Sequence, residues 1–306
     1  MRIARHPSSI VPLLALLVFG CGGRNQVVGP GSSDSSAQET AAADELGRHP
    51  ELVDDGLYET QTQSQTNAAA GAAATIDPLF FWREILQVRR SYEFAFADTD
   101  STGQPTTAVL TVHKRLSGWF NILAKDSVTE GSPTEGQVVR KSLHDHWVRR
   151  ILLKRIAPTT GSELRPWRIA AVSGVEVTSR DAQTRLQSLR VQSGDLDTTM
   201  TRPLAFWRLR RVLRLEANAQ VTLTATTEDP TDVVVLYARD RRARFHNNGD
   251  GTHTITWTAG SVDGLRHLGV NALSHGALYD DQAPYDSQTW ILPYVVAPTE
   301  LAEMAP

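Results

Sequence analysis

Apolar and polar side chains alternate along much of this chain. Tyr92, Phe94 and Phe96 alternate with Glu93, Ala95 and Ala97, the period of a strand whose successive side chains face opposite ways. Residues 98–105 then form a turn cluster of Asp, Thr, Ser, Gly and Pro. Ala108, Leu110, Val112 and Leu116 resume the strand period, and residues 119–123 give a further strand after Ser117-Gly118. Residues 138–156 fit two periods. Val139, Leu143, Trp147 and Ile151 recur every fourth position, as on a helix. The same residues continue two apart through Lys141, Asp145 and Arg149, as on a strand. Two long strands, residues 147–156 and 167–178, are the preferred reading. Upstream, Phe81, Ile85 and Val88 suit one or two helical turns. Residues 77–180 are therefore expected to form an α+β domain, one helix on a curved antiparallel sheet.

Residues 181–298 carry the clearest pattern. Val221, Leu223 and Ala225 face one way, with Thr222, Thr224 and Thr226 the other. Val233–Ala238 is continuously apolar, which suits a strand buried on both faces. Asn247-Asn248-Gly249-Asp250-Gly251 is a hairpin turn in which Gly251 is expected to be left-handed. After it, His253, Ile255 and Trp257 oppose Thr252, Thr254, Thr256 and Thr258, and residues 265–273 and 289–296 complete the set. Short strands with one apolar face each predict a β-sandwich that folds alone. Pro293 within the last strand predicts an edge or a bulge. Residues 204–215, with Arg208, Arg210, Arg211 and Arg214 among Leu and Trp, predict a connecting segment or edge strand.

Two resemblances follow. Asn248-Gly249-Asp250-Gly251-Thr252, Gly264-Leu265 and Val270-Asn271-Ala272 resemble the late strands of bacterial Ig-like or fibronectin-III-like domains. The helix and curved sheet of residues 77–180 loosely resemble cystatin-like or NTF2-like folds. Both imply fold and leave activity open. The expected class is mainly β, an α+β middle domain followed by an Ig-like β-sandwich.

The N-terminus adds a location. Arg2 and Arg5 precede an apolar run over residues 10–19, which ends at Cys21, the only cysteine of the chain. This is the layout of a secretory signal. Val18-Phe19-Gly20-Cys21 resembles a bacterial lipoprotein lipobox, with Phe19 where that family prefers a small residue. The resemblance implies a signal peptide over residues 1–21, lipidation at Cys21 and a membrane-anchored protein of the cell envelope. Gly22 lacks the Asp that resembles an inner-membrane retention signal, which favours the outer membrane. The apolar run is about half of the roughly 20 residues needed to span a bilayer. Residues 22–76, rich in Gly, Ser, Thr, Gln and Ala, read as a disordered tether with room for a short helix over 41–58, and residues 299–306 as a tail.

Composition narrows the function. With 306 residues and a net charge of −3, the chain has room for two domains and no charge bias toward nucleic acid. Once Cys21 is acylated, no thiol remains for a disulfide, a thiolate metal site or a nucleophile. His144 and His146 lie two apart, and His113 lies on another strand. Three imidazoles can hold zinc with an open position, but nothing in the sequence brings His113 to the pair. Ser274-His275 with Asp280, Asp281 and Asp286 has the residue types of a hydrolase triad without a Gly-x-Ser-x-Gly elbow. Asp98 and Asp100 begin like a calcium loop, but Thr102 and Val109 stand at its fifth and twelfth positions. Arg140, Lys141, Arg150 and Lys154 are candidates for an anionic partner, glycan or lipid head group. The sequence thus reads as a cell-envelope lipoprotein acting as a non-catalytic binding or scaffolding module. It needs no cofactor, meets the membrane through its lipid and takes an envelope protein or glycan as partner. The alternative is an envelope hydrolase or metal-dependent enzyme using His113, His144 and His146.

Overall fold

The structure, a computed structural model, describes residues 33–54, 56–59, 64–65, 75–125, 136–156, 167–208, 212–238 and 241–297. Cys21 and the lipobox lie outside them. Two helices come first, α1 (Ser33–Gly47) and α2 (Pro50–Val53). Five strands follow: β1 (Ser64–Gln65), β2 (Pro78–Thr99), β3 (Pro105–Ala124), β4 (Gln137–Arg155) and β5 (Trp167–Ser179). Next come β6 (Leu186–Ser193), β7 (Leu196–Met200), β8 (Phe206–Arg208), β9 (Leu213–Glu216) and β10 (Gln220–Thr227). The remainder is β11 (Val233–Ala238), β12 (Arg241–Arg244), β13 (His246–Asn247), β14 (Thr252–Thr258), β15 (Gly264–Leu273), α3 (His275–Tyr279) and β16 (Ser287–Ala297).

The fold is mainly β and almost wholly antiparallel. One sheet of eleven strands runs β1-β2-β3-β4-β5-β16-β15-β11-β12, with β8 beside β5 and β9 beside β16. A second sheet of five strands runs β13-β14-β10-β6-β7. The ambiguous stretch around residue 147 is strand. In β4 the odd-numbered residues from Lys141 to Leu153 are buried and their even-numbered neighbours face outward.

The helical spacing of Phe81, Ile85 and Val88 has another cause. Residues 78–99 form one long strand paired with β3, and its register shifts between Ile85 and Gln87. Phe81, Arg83 and Ile85 face inward before that bulge, and Val88, Tyr92 and Phe94 after it. One inserted residue turns a two-residue period into steps of four and three. Leu86 is the extra residue and is 64% exposed. Opposite the bulge, a Cβ on Gly118 would lie 1.9 Å from the Glu84 carbonyl oxygen, so only glycine fits. The helices that cover the curved sheet come instead from residues 33–53.

The large sheet crosses residue 180, where a domain boundary was expected. Gln288 to Ile291 of β16 pair with Val175 to Thr178 of β5. The sheet curls until Phe81, Phe120, Ile122 and Leu143 from β2–β4 meet Val233, Val235, Tyr237 and Leu273 from β11 and β15. The alternate residues of β11, Val234, Leu236 and Ala238, pack against the five-stranded sheet. The apolar run Val233–Ala238 is thus buried on both faces. Pro293 lies in a strand inside the large sheet and not in a bulge. It keeps register with His267 of β15. On its other side β16 pairs with β5 as far as Ile291 and with β9 from Tyr294 onward. Pro293 thus sits in the gap between these two pairings, where no ladder bond is lost on that side.

Candidate functional site: a cleft under the N-terminal helices

The concave face of β2–β5 carries large apolar side chains. Leu110, Val112, Trp147, Ile151, Leu153 and Trp167 are buried there, and Tyr92, Phe94 and Phe96 pack beside them. Ala42 and Leu46 of α1, Leu52 of α2 and Tyr58 cover part of this surface. The spacing of Ala42 and Leu46, one helical turn apart, puts both on one face. Pro50 opens α2, where its lack of an N–H costs nothing. The helices leave a cleft of about 750 Å³ between α1, α2 and the far half of β2. Ala43, Leu46, Pro50, Val53, Tyr92 and Phe94 supply its apolar lining, and Glu39, Asp44, Asp54, Glu59 and Arg90 its charges.

A buried ammonium holds the segment after α2 against the sheet. Lys114, only 1% exposed, points inward from β3 and donates to Asp54 and, at 2.6 Å, to Glu59. Its Nζ lies 4.6 Å from the centre of the Trp147 ring, which adds a cation–π contact. Arg90 reaches the same two carboxylates at 3.3 and 3.4 Å. Arg149, also inward-facing, donates to the Val53 carbonyl at 3.3 Å.

Beyond this strap the curled sheet encloses a polar cluster. Arg83 of β2 donates to the hydroxyls of Tyr285 and Tyr237 at 3.2 and 3.4 Å and to Asn271 Oδ1 at 3.0 Å. Its guanidinium lies 4.7 Å from the Tyr58 ring centre. Tyr58 donates to Asp145 Oδ2 at 2.7 Å, and Tyr285 approaches the same oxygen at 3.4 Å. Asp145 Oδ1 has no hydrogen-bond partner among the described residues. Burial raises the Asp145 carboxyl above its usual range, against the pull of Arg83. Burial also raises both phenols, Tyr58 well above its ordinary value and Tyr285 to about 12. Burial alone would weaken the charge on Arg83, but Tyr285, Tyr58, Tyr237 and Asp145 around it hold the proton more firmly.

The histidines singled out by sequence lie on the outer face of the curved sheet. His113 Nδ1 and His146 Nε2 are 3.1 Å apart with the rings stacked, and Glu93 approaches the other nitrogen of His113 at 3.6 Å. Burial, then His113 and Arg115, make His146 harder to protonate. His144 pairs with Ser142 instead, at 3.1 Å. No group of three or more metal-ligating side chains forms among the described residues.

The basic candidates separate by face. Arg140, Arg150 and Lys154 point outward, and Arg150 lies over the Phe206 ring. Lys141 points inward and donates to the carbonyls of Gly276 and Asp280 around α3. Burial lowers its pKa to about 8, with Asp280 and Asp281 opposing. Ser274 caps α3 by accepting from the Ala277 N–H, and His275 stacks on Tyr279. Asp286 accepts from the backbone of Gln183 and Thr184. The three residue types of a triad are thus each in a structural role. Asp100 Oδ1 accepts from the backbone of Thr102 and Gln104, which closes the β2–β3 hairpin. Sequence reasoning missed the cleft, whose helices come from the segment read as a tether, and missed Lys114, Arg83 and Tyr58. The inward position of Lys114, two after Val112 and two before Leu116, was the available signal.

No family model, no curated protein and no solved structure matches this chain.

Proposed function

We propose that this chain is a cell-envelope lipoprotein acting as a non-catalytic binding module, and that the cleft between α1, α2 and β2 takes its ligand. The cleft carries the reading. Its volume of about 750 Å³ and its apolar, aromatic walls with a few charged groups are the form of a small-molecule site. The five-stranded sheet, packed on β11, β15 and β16 of the large sheet, we read as one half of an Ig-like sandwich that serves as a scaffold. Lipidation at Cys21 would place the cleft close to a membrane, with the outer membrane favoured. Eleven residues lie between Cys21 and the start of α1 at Ser33, and an extended chain covers at most about 3.5 Å per residue, hence roughly 40 Å.

The test uses the full chain carrying Cys21→Ser, which removes the acylation site, and the neutral apolar dye N-phenylnaphthylamine. Saturable enhancement of dye fluorescence is expected. Ala43→Trp, which fills the cleft from the exposed side of α1, should abolish it while the denaturation midpoint is kept. Dye binding that is absent, or indifferent to Ala43→Trp, would refute the cleft as the site.

A further inference from the structure

The charges around the cleft divide into satisfied and unsatisfied sets. Among the described residues, four carboxylates line it: Glu39, Asp44, Asp54 and Glu59. Asp54 and Glu59 are each paired with both Lys114 and Arg90. Glu39 and Asp44 form no ion pair or hydrogen bond among the described residues. Among the described residues, Arg90 is the only basic one of the lining, and it is already shared by two carboxylates. The nearby basic residues Arg48 and Arg168 are both engaged by Glu45, on the buried side of α1. Negative charge therefore remains uncompensated on the α1 wall, while the opposite wall offers the Tyr92 and Phe94 rings.

Building on the cleft proposed above as the ligand site, we infer that the ligand is an amphiphile with a cationic end, an amine or quaternary ammonium. Its apolar part lies along Leu46, Val53, Tyr92 and Phe94, and its charge sits between Glu39 and Asp44. An aromatic face attracts such a cation as well as an alkyl chain. An anionic amphiphile fits poorly. It would have to draw Arg90 from Asp54 and Glu59 and then meet two free carboxylates of like charge. The preference should be modest and sensitive to salt, because exposed charge pairs are weak and screened.

Three compounds with the same twelve-carbon tail test the assignment: dodecyltrimethylammonium, a neutral dodecyl polyoxyethylene ether and dodecyl sulfate. Each is titrated below its micelle concentration against N-phenylnaphthylamine bound to the full chain with Cys21→Ser. The cationic compound is expected to displace the dye at about 3- to 10-fold lower concentration than the neutral one at low salt. Dodecyl sulfate should be the weakest. The double variant Glu39→Gln, Asp44→Asn should bring the cationic-to-neutral ratio to within about twofold of unity. Dye binding with no charge preference, with a preference for the anion, or with a cationic preference that survives the double variant overturns the ligand class and leaves the cleft standing. Failure of the dye to bind overturns both.

Discussion

The Tyr58 hydroxyl donates a 2.7 Å hydrogen bond to Asp145 Oδ2, joining residues 87 positions apart. This bond ties the strap after α2 to the centre of the curled sheet. It is the shorter of the two hydrogen bonds accepted by Oδ2 of a carboxyl group that is 3% exposed, since Tyr285 reaches the same oxygen at 3.4 Å. Tyr58→Phe removes the donor and keeps the ring. Leaving a buried acceptor short of a partner costs about 1–3 kcal/mol. Chemical denaturation should show that loss, and Asp145→Asn in the Tyr58→Phe background should recover part of it by removing the buried charge. A Tyr58→Phe protein as stable as the parent would show that the bond contributes nothing.

Lys114 makes the complementary attachment. Lys114→Met keeps the packing on Trp147 but removes the ammonium that Asp54 and Glu59 share, leaving them to the more exposed Arg90. The effect should be local. Amide exchange over residues 50–59 should quicken by the equivalent of about 1–3 kcal/mol of local opening free energy while β3 and β4 stay protected. Equal acceleration throughout the sheet would place Lys114 in the general core instead of the strap.

The hairpin of β14 offers a facing test. Trp257 is 5% exposed and meets Tyr294 edge-on at 5.4 Å, whereas Thr256 is exposed. Trp257→Ala should cost about 3–5 kcal/mol and Thr256→Ala within about 0.5 kcal/mol. Comparable losses from the two in urea denaturation would mean that the register is shifted by one residue.

Much of this architecture is legible in the sequence, for reasons that also explain the failures. Alternation gives β10, β14 and most of β3 because β14 and β3 carry no inserted residue and β10 shifts register only at its end, between Thr226 and Thr227. The first half of β2 is hidden because Leu86 is inserted at a bulge whose partner, Gly118, lies on another strand. The buried charges mislead in a different way. Lys114, Lys141, Asp145 and Arg149 occupy inward positions of a good strand period, yet a charge suggests solvent. What makes each tolerable inside is a partner distant in sequence: Asp54 and Glu59 for Lys114, Gly276 and Asp280 for Lys141, Tyr58 for Asp145 and Val53 for Arg149. The cleft is invisible for the same reason. Its α1 wall has tether-like composition, and only the packing of Ala42 and Leu46 on the sheet makes it a wall.

The continuity of the large sheet changes what a fragment should do. Residues 183–296 contain the hairpin and both sandwich faces. Removing β2–β5, however, would uncover Val233, Val235 and Tyr237, which pack on Phe81, Phe120 and Leu143, and would strip β5 from β16. The whole chain should therefore unfold in one transition, with tryptophan fluorescence and circular dichroism coincident. The isolated fragment should show apolar dye binding and no cooperative transition. Two separated transitions in the whole chain would instead support a domain boundary near residue 180.

Asp232 should make stability depend on pH. It lies just before β11 and is 2% exposed, and its Oδ2 has no hydrogen-bond partner among the described residues. Burial, followed by the charges of Asp229, Asp286 and Glu228, raises its pKa to about 7. A carboxyl whose folded pKa lies above its unfolded value favours the folded state while it holds its proton. That contribution is full below the unfolded value of 3.8 and is lost as pH rises toward about 7. Above that range the fold must hold a buried, poorly solvated charge. Asp232→Asn keeps the shape and has no proton to lose. The variant should match the parent near pH 4 and exceed it by about 1–3 kcal/mol at pH 8. Urea denaturation of both proteins across that range decides the matter. A difference that stays constant with pH would mean that Asp232 is already solvated or paired in the folded protein.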